Sequence, residues 1–509
     1  MESRTGFILF NEAQDKPCAT VGKEVGFETR TNLWRTSIKL LAKRINHNQE
    51  EKKNMITQST RKTLWLLFSF LLVLSMLLAA CQPAATPTAT PPPEEKKPFE
   101  GVTINLLQET VPDLEYFKKF LPEFEEKTGM KVNIEEVTYT AMHEKLIPQL
   151  SLAEGQGAYD VIIVDKQWVG EFLCADWLLP LDDYIKRDGF DTSVYVPAMF
   201  EMLGAVNGVT YMLPYYNYSM GLVYRTDIFT DPKLQEEYKA QFGVPLEVPK
   251  TLDEHVQVAK FLTRDTNGDG TADQYGLAMQ LARFPSYAEY MHLLHGQGKG
   301  YYDENWKAEV NSEAGMKAIN SLLDLYKNAT TPAATGYFFN EQMELFSQGN
   351  AAMIVTYSWA PPTLADPNKS KVAGKVAIAV NPGGHGMQGG WGWAIPRSAP
   401  NKDAAWEFLK WVESADIAKR RALEGGSPTR TDVFNDPEVL AKWPHQKGIM
   451  EWVETGMPFP IVCRSQEIID VLSLNTSEAL AGNKTPEQAM NDAAAAMNEI
   501  VVDDPLIKK

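Results

Sequence analysis

An α/β fold spread over more than one domain is predicted by three observations. Strand-like and helix-like segments alternate from Phe99 onward, a short wholly apolar run lies at 159–164, and the chain is too long for a single core. Residues 102–107 (VTINLL) read as a strand. Residues 114–128 read as an amphipathic helix stopped at Gly129, 131–137 as the next strand and 142–152 as a helix. The run Tyr159-Asp160-Val161-Ile162-Ile163-Val164 has the composition of a strand buried on both faces. This order implies βαβ units and a mainly parallel sheet. Past residue 250 the chain is more helical, with segments at 252–263, 312–328, 402–413, 465–481 and 485–500. Extended segments at 214–218 and 376–380 read as crossings between compact units, with a third near Gly425-Gly426, where glycine can absorb a hinge rotation.

The N-terminal region follows a different logic. Residues 1–54 are basic, polar and aperiodic, and are set aside as a mis-assigned start or dispensable leader. Residues 55–80 have the order of a secretory signal: Arg61 and Lys62, an apolar run over 64–80, then small residues. The ending Leu78-Ala79-Ala80-Cys81 resembles the lipobox of bacterial lipoproteins, which implies cleavage before Cys81 and a lipid anchor on it. An uncleaved membrane span is the competing reading, at the short limit of about 17–25 residues for crossing a bilayer. Residues 81–98 are rich in Pro, Thr and Ala, offer little to bury and read as an extended tether.

From Cys81 on, 37 basic residues face 59 acidic ones, a formal net charge of −22. Such a surface repels nucleic acid and anionic lipid, so neither is an expected partner. Apart from Cys81, this part contains only Cys174 and Cys463, without metal-ligand spacing. Two buried free thiols are expected, with a single bridge as the alternative.

Catalytic signatures are missing from the sequence. His143-Glu144 lacks the second histidine of HExxH, and there is no GxSxG or P-loop. In so acidic a chain a glycosidase-type carboxylate pair stays open by counting alone. The segment 265–273 places Asp265, Asn267, Asp269 and Asp273 at positions 1, 3, 5 and 9 of an EF-hand-like loop, with Gly270 at position 6. Position 12 is Gly276, not the bidentate glutamate, so an Asx/Gly turn is favoured over a structural calcium site. No other cofactor is expected.

A set of landmarks then falls into one register. Residues 117–132 (FKKFLPEFEEKTGMKV), 159–181 (YDVIIVDKQWVGEFLCADWLLPL) and 213–229 (LPYYNYSMGLVYRTDIF) come first. Residues 348–353 (QGNAAM) with Trp359, 389–396 (GGWGWAIP), 401–411 (NKDAAWEFLKW), 427–430 (SPTR) and 485–490 (TPEQAM) follow. Together they resemble the extracellular solute-binding proteins of ABC importers, sugar-binding type. Two departures are Asp176-Trp177, where glycine is usual, and Arg225, where asparagine is common. The resemblance implies a two-lobed α/β fold of the periplasmic-binding-protein kind, with a ligand cleft between lobes joined by hinge segments. It also implies a membrane permease as partner and no catalysis. A monomer held outside the cytoplasm by the lipid on Cys81 is expected to capture a sugar, an oligosaccharide in the first instance. A peptide, polyamine or organic anion is the alternative solute, and a secreted carbohydrate-active enzyme is the third reading. On that reading residues 99–213 plus 381–424 form lobe 1, and 214–380 plus 425–509 form lobe 2.

A sugar presents an apolar face and a ring of hydroxyls, so its site needs aromatic faces with amides and carboxylates beside them. Trp359, after the 351–357 strand, and Trp391, in a Gly-rich loop, are expected to contact ligand. Trp168 and Trp393 are candidates that serve equally well as core, whereas Trp406 and Trp411 read as core. Glu109, Thr110, Asp165 and Gln167 follow strands at the carboxyl edge, where open α/β sheets bind ligands. Tyr216 and Tyr218 share one face of an aromatic strand, and Phe284 and Tyr287 follow the 275–279 strand. Arg430 and Arg464 complete the candidates, each with a surface ion pair as the simpler reading.

Overall fold

A computed structural model describes residues 97–110 and 112–507. The 1–54 leader, the 55–80 signal, Cys81 and nearly all of the 81–98 tether lie outside the described residues. Among the described residues no helix is long and apolar enough to cross a membrane. Two main sheets are built from β1 (Thr103–Glu109), β2 (Lys131–Val137), β3 (Val161–Asp165), β4 (Met212–Asn217), β5 (Met220–Arg225), β6 (Tyr275–Ala278), β7 (Ala351–Tyr357), β8 (Val376–Ala379) and β9 (Gly390–Ala394). The first has the order β2-β1-β3-β9-β4, and the second β8-β5-β7-β6.

Pairing is parallel along β2-β1-β3 and between β6 and β7, and antiparallel elsewhere in these sheets. The expected mainly parallel sheet therefore covers only part of each. The reason is β9. The chain leaves the first sheet after β4, returns only between β8 and β9, and inserts β9 antiparallel between β3 and β4. This segment is a buried central strand rather than the Gly-rich loop expected. Its glycines serve packing: a Cβ at Gly389 would lie 1.7 Å from the Tyr218 ring, and one at Gly392 would lie 2.8 Å from Met212.

The single helix expected over 114–128 is two helices, Pro112–Lys118 and Leu121–Thr128. Pro122 in the first turn of the second has no N–H to continue an earlier helix, and Gly129 in the left-handed region (φ 79°) ends it. Phe117, Phe124 and Phe408 meet nearly edge-on with centroids 5.7–6.1 Å apart, covering one face of the first sheet. Trp406 is fully buried there, as expected, while Trp411 is partly buried against Phe124 at 4.8 Å.

The chain crosses from β4 to β5 through Tyr218 and Ser219, and from β8 to β9 through 380–389. Asn217 ties the crossing down: its amide donates to the Pro428 carbonyl at 2.7 Å, and the Ser358 hydroxyl donates to its carbonyl at 2.9 Å. The third strand of the junction, around Ser427 to Thr429, is held by the Thr429 hydroxyl on the Pro214 carbonyl at 3.0 Å.

Cys174 and Cys463 form a disulfide, which corrects the expectation of two buried free thiols. Cys174 ends the Val169–Cys174 helix in an exposed position. The backbone before Cys463 lies directly on that helix: a Cβ at Gly170 would sit 2.0 Å from the Val462 carbonyl oxygen. This approach brings together Cα atoms 289 residues apart in sequence to 5.5 Å.

The EF-hand-like loop is folded on itself. Asp265 accepts from the amides of Gly268 and Gly270, Asn267 from that of Asp269, and Asp269 from that of Thr271. Asp273 accepts from the Thr266 amide and hydroxyl. A closing glutamate at position 276 is sterically excluded, because a Cβ there would lie 1.7 Å from the Ala259 carbonyl oxygen of the neighbouring helix. Among the described residues no cluster of three or more His, Cys, Asp or Glu is placed to hold a metal.

Two outcomes follow. Chelation with EDTA leaves the melting temperature unchanged, and a drop on chelation would instead assign calcium to the 265–273 loop. Reducing the disulfide, or Cys174→Ser, lowers unfolding free energy by about 2–5 kcal/mol in a denaturant titration; an unchanged midpoint would show that Val462 and Gly170 packing alone holds this junction.

Candidate functional site

Strand ends converge on one cavity of about 410 Å³, a size within the usual range of small-molecule sites. The first sheet contributes Glu109 at the end of β1 with Thr110 after it, Asp165 at the end of β3 with Gln167 after it, Tyr216 from β4 and Trp391 from β9. Tyr218 lies at the crossing. The second sheet contributes Phe284 and Tyr287 from the segment after β6, and Tyr357 and Trp359 at the end of β7. Ten of the fourteen residues singled out from sequence thus line one space, and Trp359 and Trp391 reach it from different sheets.

The other four lie elsewhere. Trp168 is buried behind the wall, stacked on Tyr139 with centroids 5.4 Å apart and edge-on to Trp391 at 5.3 Å. Trp393 points into the core against Tyr215 at 4.1 Å, and its indole N–H donates to buried Glu413 at 2.9 Å. The two tryptophans differ in position along β9: Trp391 pairs with Asp165 at the end of β3 and Trp393 with Ile163 further in. Arg430 is locked to Asp432 at 2.7 Å and to the Glu413 carbonyl at 2.9 Å, and Arg464 is an exposed partner of Glu467. Both arginines are therefore structural ion pairs away from the cavity.

Asp165 organises the polar wall. Its carboxylate accepts from the Tyr218 hydroxyl at 2.5 Å, the Tyr139 hydroxyl at 3.0 Å and the Gln167 amide N–H at 3.3 Å. Burial pushes its carboxyl up to about 6, while these donors pull it back. Gln167 in turn donates through its side-chain amide to the Tyr287 hydroxyl at 2.5 Å, a bond from the first sheet's side of the cavity to the second's. Rings meet across the same gap, Tyr139 to Phe284 at 5.7 Å. On the second side Trp359 stacks on Tyr357 at 5.6 Å, with the planes within 10°, and Phe339 closes edge-on at 5.6 Å. Burial, with the Asp165 carboxylate close by, keeps the Tyr139, Tyr218 and Tyr287 phenols protonated. Glu109 is pushed up to about 8, chiefly by burial, with Asp165 adding repulsion. Among the described residues no lysine, arginine or histidine lines the cavity.

Sequence reasoning missed Tyr139, Gln280, Phe338 and Phe339, all in the lining. Tyr139 carried a usable signal, since it follows β2 at the same carboxyl edge as Glu109. Gln280 likewise follows β6. Phe338 and Phe339 begin a helix far from any strand end, and nothing local marks them.

Two sheets whose carboxyl ends share an aromatic cavity, joined by short crossings, define a two-lobed α/β binding protein with its ligand cleft between lobes. The chain belongs to the bacterial extracellular solute-binding protein family, which it matches over residues 109–419. It is similar to a probable amino-acid ABC transporter periplasmic-binding protein of Sinorhizobium fredii, at 26% identity over 78% of this chain and 88% of that protein. A mannitol-binding protein of Pseudomonas aeruginosa is 27% identical over 57% of this chain and 65% of its own length. Among solved structures, an Agrobacterium radiobacter ABC transporter solute-binding protein in complex with ribitol superposes with a TM-score of 0.69 and 29% identity, covering 79% of this chain and 100% of that one. Maltose-bound MalE3 of T. maritima gives 0.67 and 26%, with the same coverage.

The proton held by Glu109 sets a pH dependence. Its folded value lies above the ordinary 4.5, so its contribution to stability is complete below about pH 4.5 and is lost as pH rises through about 8. Glu109→Gln removes that slope. The stability of wild type minus that of the variant, from denaturant titrations, falls between pH 4.5 and 8; a flat difference would show that Glu109 is well solvated.

Proposed function

We propose that the protein is the substrate-binding component of an ABC importer, capturing a sugar or polyol by closure of its lobes and delivering it to a membrane permease. The observation that carries this reading is the convergence of Trp359 and Trp391, from separate sheets, on one cavity. Indole faces stack on C–H surfaces, while Gln167, Gln280, Asn340 and the tyrosine hydroxyls offer partners for ring hydroxyls. The ten lining residues named from sequence are the proposed contacts. A solute bridging both lobes favours the closed form by as much as its affinity differs between the two states. Lobe 1 then comprises 99–213 plus 381–424, and lobe 2 comprises 214–380 plus 425–509. A lipid on Cys81 anchors the protein outside the cytoplasm, the molecule acts as a monomer, and binding needs neither cofactor nor chemistry on the solute. The names of the mannitol-binding relative and of the ribitol and maltose complexes support the sugar or polyol class.

One observation favours a second reading: the Sinorhizobium relative is named for amino-acid transport. Against it, an amino acid's carboxylate would meet two acidic side chains and no basic one in this cavity. An organic anion fares no better.

A melting-temperature screen tests the proposal. A true ligand at a hundredfold excess over its Kd stabilises the fold by roughly 2.7 kcal/mol, and calorimetry then shows Trp359→Ala weakening binding by about tenfold or more. Silence from every sugar and polyol in the screen, or recovery of a chemically altered solute, overturns it.

A further inference from the structure

Glu109 is the unbalanced group of the cavity. It ends β1 and lines the space, yet its carboxylate takes part in no hydrogen bond or ion pair among the described residues. Asp165, by contrast, already has three donors. Among the described residues no basic side chain lines the cavity. Lys166, next in sequence to Asp165, is buried outside the lining, and burial lowers it to about 7.

Two carboxyl groups therefore face one space that no basic side chain lines among the described residues, with only Lys166 acting on Asp165 from outside the lining. A neutral solute can offer Glu109 one hydroxyl, but leaves burial and the repulsion from Asp165 weighing against its ionised form. A cationic solute removes both penalties. The walls suit a cation as well: Tyr139, Phe284, Trp359 and Trp391 present π-faces or edges around the same space. The remaining polar lining is neutral, made of amides and phenols, and it outnumbers the carboxylates. That balance fits one ammonium group and several hydroxyls better than a chain of ammonium groups.

We infer that the solute is an amine-bearing sugar or polyol, its protonated amine seated at Glu109 and its hydroxyls on the neutral groups. This rests on the sugar reading above and narrows it. The amine also changes the protonation of its partner. Burial and Asp165 hold Glu109 largely protonated at neutral pH; a nearby ammonium favours the carboxylate, so binding releases a proton.

Titration calorimetry on the full mature protein, in two buffers of different ionisation heat, tests this with D-glucosamine and its β-1,4-linked disaccharide. Glucose, N-acetylglucosamine, maltose and mannitol are the comparison set. The amine-bearing sugars should bind about tenfold or more tighter than their neutral counterparts, with proton release seen only for them. Glu109→Gln should erase both the preference and the proton release; if that variant does not fold, the wild-type panel decides alone. Neutral sugars binding as tightly as glucosamine would overturn the inference and leave the sugar reading standing. A preference that survives in Glu109→Gln would remove Glu109 as its seat and overturn it too. Failure of every sugar, aminated or neutral, would bring down both.

Discussion

Asp165 is the constraint around which the site is arranged. A carboxylate 2% exposed at the end of a buried strand is tolerable only if its oxygens are satisfied. The three donors that satisfy it come from three places: Tyr139 after β2, Gln167 in its own turn, and Tyr218 at the crossing between the sheets. One buried charge thus sets the rotamers of two wall residues and pins the junction on which the lobes turn. Gln167 extends the network to Tyr287 on the opposite side. Removing the carboxylate would leave the Tyr218 hydroxyl and the Gln167 N–H without this acceptor, whereas the Tyr139 hydroxyl also lies 3.2 Å from the Gln167 side-chain oxygen. The Gly389 gap belongs to the same arrangement, since Tyr218 reaches Asp165 only because no side chain occupies that point on β9.

Much of this was legible in the sequence, for identifiable reasons. The carboxyl-edge rule found Glu109, Thr110, Asp165 and Gln167 because each directly follows an unambiguous apolar strand. Strand alternation separated Tyr216 and Tyr218, which line the cavity, from Tyr215, which packs on Trp393. What alternation could not supply was position along the strand, so two tryptophans two residues apart looked equivalent when Trp391, beside Asp165 at the end of β3, serves the wall and Trp393, beside Ile163, serves the core. Long-range approach was equally invisible. The Cys174–Cys463 bond depends on Val462 resting against Gly170, and no local pattern links positions so far apart. A glycine-rich stretch was read as a loop, although its glycines exist to admit the Tyr218 ring and Met212 around a buried strand.

The two halves already touch through contacts that a solute can imitate. The Gln167 amide on the Tyr287 hydroxyl is the kind of bond a ring hydroxyl would make, and the Tyr139–Phe284 pair has the tilted geometry of a stacked apolar face. The free energy available to bias the lobes is then only the difference between solute contacts and these protein contacts, not the whole of the former. Selectivity arises in the same difference, because a solute lacking a matching hydroxyl leaves a buried amide or phenol unpaired.

Charge acts at two ranges in the same direction. The excess of 22 acidic side chains beyond Cys81 attracts cations and repels anions before any contact is made. Inside the cleft the acidic Asp165 and the largely protonated Glu109 face a space that no basic side chain lines among the described residues. The surface field is screened within about 8 Å at physiological ionic strength, but the enclosed pair is screened far less. The outer charge therefore bears mainly on encounter and solubility, while the inner pair bears on which solute stays. Glu109 is the member of the pair whose carboxyl has no hydrogen-bond partner among the described residues, and it is where the inferred amine would sit.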